Sequence, residues 1–106
     1  MSTQATIDNF YKLTTTPGTA VTLGASTVKF STVSLLGYKA DGTVNTGNVK
    51  WRPKDGQWKT LPPGVEEIIP IPPGSFLRAS QIEIDADTSG DGVLCNYTAA
   101  VVYEGP

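Results

Sequence analysis

The chain has 106 residues, enough for one domain, with 17% charged residues and a formal net charge of −2. It contains no histidine and a single cysteine, which excludes Ser-His-Asp and Cys-His catalytic groups and the common zinc ligand sets. We therefore expect no enzyme activity, no cofactor and no metal centre. Thr, Val and Ile number 29 against 16 for Ala, Leu and Met together, which predicts strands rather than helices.

The charge and hydropathy patterns also limit the partners. Eight Lys and Arg residues against ten Asp and Glu residues form no basic cluster of the kind that binds a phosphate backbone. No apolar run is long enough to span a bilayer, and no secretory signal is visible. We expect a protein that is made in the cytoplasm and binds neither nucleic acid nor membrane.

Residues 1–18 differ from the single β domain that we predict over 19–106. Ile7, Phe10 and Tyr11 have the i, i+3, i+4 spacing of a short helical turn that begins at Thr6. This segment is either an apolar plug on its own core or an arm that docks on a neighbouring subunit. We expect the arm, and its interface candidates are Ile7, Phe10, Tyr11 and Leu13.

From residue 19 onwards the pattern is strand and turn, with about eight short strands expected from the spacing of turn signals. The apolar phase changes within 27–37, which indicates a bulge or a strand that crosses between sheets. Asp55 and Gly56 predict a hairpin. A two-residue loop would put Trp58 on the face of Trp51, whereas a one-residue slip would put Trp58 opposite Arg52, and the sequence leaves both open.

Two Pro-Pro-Gly segments, 62–64 and 72–74, predict type II turns with the second proline at i+1 and glycine at i+2. Residues 81–87 alternate as a half-buried strand with its acidic residues outward. The last strand, 93–103, is apolar in both phases, so we expect both of its faces to be covered by the N-terminal segment or by another subunit. Together these elements predict a compact β-sandwich of the jelly-roll type with antiparallel strands.

The acidic stretch 85–92 is the part of the sequence that most resembles a chemical site. Its residues match the first half of a calcium loop, with oxygen ligands at Asp85, Asp87, Ser89 and Asp91 around Gly90. Asn96 stands where the loop needs a bidentate glutamate, so we interpret the stretch as a solvated turn and keep calcium as the alternative.

The remaining carboxylates, the aromatic residues and the cysteine can each be assigned to the core, to binding or to catalysis. Glu83 and Asp85 can share a strand face, as a glycosidase pair must, but the alternation gives them no pocket. Trp51 is expected in the core, Cys95 is expected to be a small buried hydrophobe, and Tyr38 could stack on a sugar ring. Trp58 stays open between core, subunit interface and ligand platform, and we count it among the interface candidates.

Several segments occur in an order that resembles small bacteriophage virion accessory proteins, namely residues 19–23, 33–36, 45–51, 61–64 and 82–93. Such proteins are capsid decoration (cement) or head-tail accessory proteins with sandwich or jelly-roll folds. The resemblance implies a non-enzymatic structural role in the virion, with the major capsid protein or another virion protein as partner. It also implies a homo-oligomer, for which we expect a trimer. The alternative function is a carbohydrate-binding module that adheres to host-surface glycans.

Overall fold

The computed structural model describes residues 7–14 and 16–100, and of residues 7–12 and 14 it describes the backbone. Nine strands and one short 3-10 helix (Ala79–Gln81) lie within these residues, so the predicted all-β class is confirmed. None of the described helical residues forms a segment that could cross a bilayer. The strands are β1 (Ile7–Thr14), β2 (Val21–Thr22), β3 (Lys29–Leu36), β4 (Val49–Pro53), β5 (Lys59–Leu61), β6 (Glu66–Ile69), β7 (Leu77–Arg78), β8 (Ile82–Ala86) and β9 (Gly92–Ala99).

The strands form two antiparallel sheets. Sheet A has the strand order β1-β9-β3-β6, and the short β7 pairs with β3 beyond the end of β6. Sheet B has the strand order β2-β8-β4-β5. Most neighbouring strands are distant in sequence, so the fold is held together by long-range pairing.

One hydrophobic core takes side chains from both sheets. Phe30, Leu35 and Val93 enter it from sheet A, and Trp51 and Ile84 enter it from sheet B. The residues between them on each strand point to the two outer surfaces, because successive side chains of a strand alternate in direction. The prediction that Trp51 belongs to the core is confirmed, since its exposed fraction is 2%.

The N-terminal segment is a strand and not the helical turn that its apolar spacing predicted. β1 pairs with β9 from Ile7 opposite Thr98 to Thr14 opposite Gly92, and its register shifts between Asp8 and Phe10. The extra residue at this bulge breaks the period of two, which explains the misleading i, i+3, i+4 spacing. Leu13 packs against the core. Residues 1–6 lie outside the described residues, and contact of the arm with a neighbouring subunit stays a prediction.

The phase change in β3 is a bulge. The register between β3 and β9 shifts between Phe30 and Thr32, and β3 stays in sheet A along its whole length. Phe30 and Val33 can therefore both face the core, although they are three positions apart.

The hairpin between β4 and β5 takes the second of the two registers that the sequence left open. Trp51 lies opposite Lys59, which carries Trp58 to the position across from Arg52. The loop tightens through Gly56 N–H, which donates to Pro53 O at 2.7 Å, and Asp55 adopts a φ of 63°. Aspartate tolerates this left-handed conformation better than most residues with a side chain.

Both Pro-Pro-Gly segments form the predicted turns. Val65 N–H donates to Pro62 O at 3.2 Å, and Ser75 N–H donates to Pro72 O at 3.0 Å. The turn glycines Gly64 and Gly74 have φ values of 73° and 80°, as position i+2 of a type II turn requires. These two turns lead the chain into β6 and towards β7.

Candidate functional site

The acidic stretch 85–92 serves the fold and does not gather its oxygens around one point. Asp85 is buried, which the predicted outward position did not anticipate, and its Oδ1 accepts a hydrogen bond from Gly18 N–H at 3.1 Å. Asp87 is half exposed beside Lys50, and Ser89 is exposed. Within the described part of the chain, no group of three or more acidic, cysteine or histidine side chains has an arrangement that could hold a metal ion.

Asp91 fixes the loop before β4. Its side chain is fully buried at 0% exposure, and its carboxylate accepts hydrogen bonds from Thr46 N–H at 2.9 Å and Gly47 N–H at 2.8 Å. Charge-assisted hydrogen bonds of this kind are stronger than neutral ones. Asp91 therefore acts as an anchor for residues 46–47.

Asn45 completes the same anchor, and the sequence pattern gave no signal for it. This buried side chain donates from Nδ2 to Gly92 O at 2.8 Å and accepts at Oδ1 from Gly92 N–H at 3.1 Å. The amide thus replaces a strand neighbour for the first residue of β9. The backbone N–H and the backbone carbonyl of Gly92 are therefore both hydrogen-bonded.

The outer surface of sheet B carries an aromatic residue among cations. The Trp58 ring lies 4.3 Å from the Arg52 guanidinium carbon and 5.8 Å from Lys50 Nζ, both measured to its centroid. We call these three residues the Trp58 platform. The arrangement follows from the hairpin register, because the slip that puts Trp58 opposite Arg52 makes them neighbours on one face.

Carboxylates of β8 and of the following turn hold the cations of the Trp58 platform in place. Arg52 Nε donates to Glu83 Oε1 at 3.0 Å, and the two side chains are only 25% and 16% exposed. Lys50 Nζ lies 3.9 Å from Asp87 Oδ1 in a much more exposed pair. The partly buried Arg52–Glu83 pair orients the guanidinium over the ring, whereas the exposed pair contributes little.

The carboxylates that could have formed a glycosidase pair are both engaged in hydrogen bonds of the fold. Glu83 accepts from Arg52 and, at 3.4 Å, from Asp55 N–H. Asp85 accepts from Gly18 N–H, shortly before the edge strand β2. One oxygen of each carboxylate is therefore occupied by a structural partner.

The outer surface of sheet A holds a groove of about 480 Å³ between β3, β6 and β9. Ile68 lies in it with an exposed fraction of 71%, unusually large for an aliphatic side chain. The Oδ1 atom of Asn96, another lining residue, is buried without a hydrogen-bond partner among the described residues. Ser34 lies between these two in the strand register and donates to Glu66 Oε2 at 3.2 Å.

Two ionisable groups among the described residues have shifted pKa values, and neither lies in the Trp58 platform or in the acidic stretch 85–92. Burial raises the pKa of the Cys95 thiol to about 12, so this side chain is a protonated core residue. The hydroxyl and the backbone N–H of Thr43 hydrogen-bond to the exposed Asp41 carboxylate and lower its pKa. The predicted core role of Cys95 is confirmed.

The structure brings Trp58 together with Arg52 and Lys50, while Tyr38 lies beyond the end of β3. Sequence reasoning gave no binding role to Arg52, Ile68 or Asn96, because such roles depend on strand register and on which surface stays uncovered. Comparisons with protein-family models, with curated proteins and with solved structures gave no match to this chain.

Proposed function

We propose that the chain is a non-enzymatic structural protein of a bacteriophage virion, a decoration (cement) protein that binds and stabilises the capsid lattice as a homo-oligomer. We base this on the sequence resemblance to small bacteriophage virion proteins, which implies a structural role of this kind. Two features of the structure support it, namely its strand order and the Trp58 platform.

The strand order is consistent with the jelly-roll sandwich that such proteins use. Sheets with the orders β1-β9-β3-β6 and β2-β8-β4-β5 have the alternation that two interlocked Greek keys produce. In this arrangement the first and last strands are neighbours, as β1 and β9 are here. Its loops and outer surfaces are available to contact a lattice.

The Trp58 platform is the observation that carries the proposal, because it has the composition of a protein-binding hot spot. Tryptophan and arginine dominate such spots, where a flat ring and an oriented guanidinium fit a partner's pocket. Arg52 is already oriented by Glu83, so little of its side-chain freedom is left to lose on binding. We therefore assign the capsid contact to the outer surface of sheet B.

The same geometry weighs against the carbohydrate-binding alternative. A sugar ring stacks on an open aromatic face, but the Arg52 guanidinium lies over the Trp58 ring at 4.3 Å. Stacking of a glycan on that face of the ring would require Arg52 to leave Trp58. We therefore rank a protein partner above a glycan.

The test is co-sedimentation of the purified chain with capsids of the phage that encodes it, prepared without this protein. We expect saturable binding and, for Trp58→Ala, a dissociation constant about 30-fold higher, which corresponds to the loss of about 2 kcal/mol at a hot spot. Tyr38→Ala is the matched control, since Tyr38 is half-buried like Trp58 but lies outside sheet B. Capsid binding that is unchanged in Trp58→Ala would refute the assignment. A glycan array that captures the wild-type chain but not Trp58→Ala, together with absent capsid binding, would favour the alternative.

A further inference from the structure

Along β3 and its neighbours β6 and β7, the outer surface of sheet A has opposite charges at its two ends. At one end Lys29 lies opposite Arg78 in the pairing of β3 with β7, and both cations lie within 5.9 Å of the Phe76 ring centroid. At the other end Glu66 lies opposite Leu36 in the pairing of β3 with β6. The two ends are separated by seven residues of β3, roughly 23 Å at the rise of a strand.

The middle of this surface exposes an aliphatic side chain among polar ones. Ile68, Ser34 and Asn96 form one row across three strands, and Ile68 is 71% exposed. The groove that they line contains one charged residue, Glu66. A buried acceptor without a partner among the described residues, such as Asn96 Oδ1, is unfavourable.

We propose that this surface binds a second copy of the chain, with the sheet A surfaces of the two copies face to face about a two-fold axis near Thr32 and Thr98, midway between the two charged ends. In that antiparallel orientation Lys29 and Arg78 of one copy meet Glu66 of the other, and every contact occurs twice. The groove residues then cover each other in the centre. The parallel orientation would instead put like charges together and is disfavoured.

The charge layout favours a two-fold pair over the trimer expected from the sequence. A three-fold ring needs two complementary patches on different sides of the molecule. Here the positively and the negatively charged side chains lie on the same surface, so this surface is complementary to the same surface of a second copy. The pair leaves the Trp58 platform on sheet B uncovered, and its formation does not depend on the virion role, because it is a property of the isolated chain.

The first experiment measures the mass of the full chain by light scattering and sedimentation up to about 1 mM, which detects even millimolar association. We expect twice the 11.2 kDa of one chain. Ile68→Asp places a charge in the centre and should weaken the pair at least about 10-fold. Val44→Asp is the matched control, because Val44 is also exposed, at 49%, but lies outside the groove, and it should dimerise as the wild type does.

The second experiment exchanges charges between the ends. Glu66→Arg and the double variant Lys29→Glu with Arg78→Glu should each be monomeric alone, since each pair would then oppose like charges. When they are mixed, both contacts join opposite charges, so native mass spectrometry should detect the mixed pair. Dimer formation on mixing also shows that both variants are folded. If one of them does not fold, the comparison of Ile68→Asp with Val44→Asp tests the pair instead. A monomeric or trimeric wild type, equal effects of Ile68→Asp and Val44→Asp, or folded charge variants that do not pair on mixing would overturn the proposal. None of these results depends on capsid binding.

Discussion

Asp91 is predicted to be the polar side chain on which the stability of the fold depends most. Its carboxylate accepts two backbone hydrogen bonds, at 2.9 Å and 2.8 Å, and is fully buried. A hydrogen bond to a charged group contributes about 1.5–3 kcal/mol, so two of them give about 3–6 kcal/mol. Thr46 is exposed and Gly47 is half-buried, so water replaces part of the loss. We therefore expect Asp91→Ala to lower the free energy of unfolding by about 3 kcal/mol.

Equilibrium unfolding in urea, followed by tryptophan fluorescence at one fixed protein concentration, measures this change. Asp87→Ala is the matched control, since its side chain is 54% exposed and makes a single long ion pair, and we expect a loss below about 0.5 kcal/mol. Asp91→Asn keeps one acceptor oxygen and should fall between the two. A loss below about 1 kcal/mol in Asp91→Ala would refute the assignment of Asp91 as an anchor. Because these oxygens are already occupied, added Ca²⁺ should leave the melting temperature unchanged, and a clear rise would support the calcium loop instead.

Two further predictions concern Cys95 and the glycines Gly37 and Gly74. The pKa of Cys95 is raised to about 12 from its ordinary 9.0, so above pH 9 the unfolded chain loses a proton that the folded chain keeps. The free energy of unfolding should therefore fall by about 1.4 kcal/mol per pH unit as the pH rises from 9 towards 12. Other groups also titrate in this range, so the effect of Cys95 is the pH dependence of the difference in unfolding free energy between wild type and Cys95→Ala. A difference that does not change with pH would contradict the prediction. Gly37→Ala places a methyl group 2.7 Å from Pro62 O, and we expect it to lower the free energy of unfolding by about 1–3 kcal/mol. Gly74→Ala meets no neighbouring atom, but its φ of 80° is unfavourable for alanine, and we expect a loss of about 1 kcal/mol. Urea unfolding measures both, and a Gly37→Ala variant as stable as the wild type would show that the Pro62 turn moves aside.

The parts of the fold that local chemistry decides were predictable from the sequence. The turns at Gly64 and Gly74 follow from the fixed φ of proline and the positive φ that glycine accepts. The inward side of β8 follows from strict alternation at Ile82, Ile84 and Ala86, all of which are buried. In each case the deciding interactions lie within a few residues of one another.

The features that the sequence left open depend on pairing between distant strands. A bulge after Asp8 hides the strand period of β1, so the segment looked helical. Asp85 and Asp91 looked like solvent-facing turn residues, but Gly18 and residues 46–47, all more than forty positions away, bury their oxygens. The neighbours of Trp58 depended on a hairpin register that either turn geometry allowed. Which outer surface stays uncovered is likewise a property of the assembled sheets.

The position of β9 has a consequence for how the protein is made. This strand lies in the middle of sheet A, between β1 and β3, yet it is the last described strand to leave the ribosome. Until it emerges, β1 has no neighbour and β3 has one unpaired edge in the nascent chain, so sheet A cannot complete before residues 92–99 have left the ribosome. A stop codon just before β9 would remove the centre of sheet A instead of trimming its border, and its product should be degraded or aggregate.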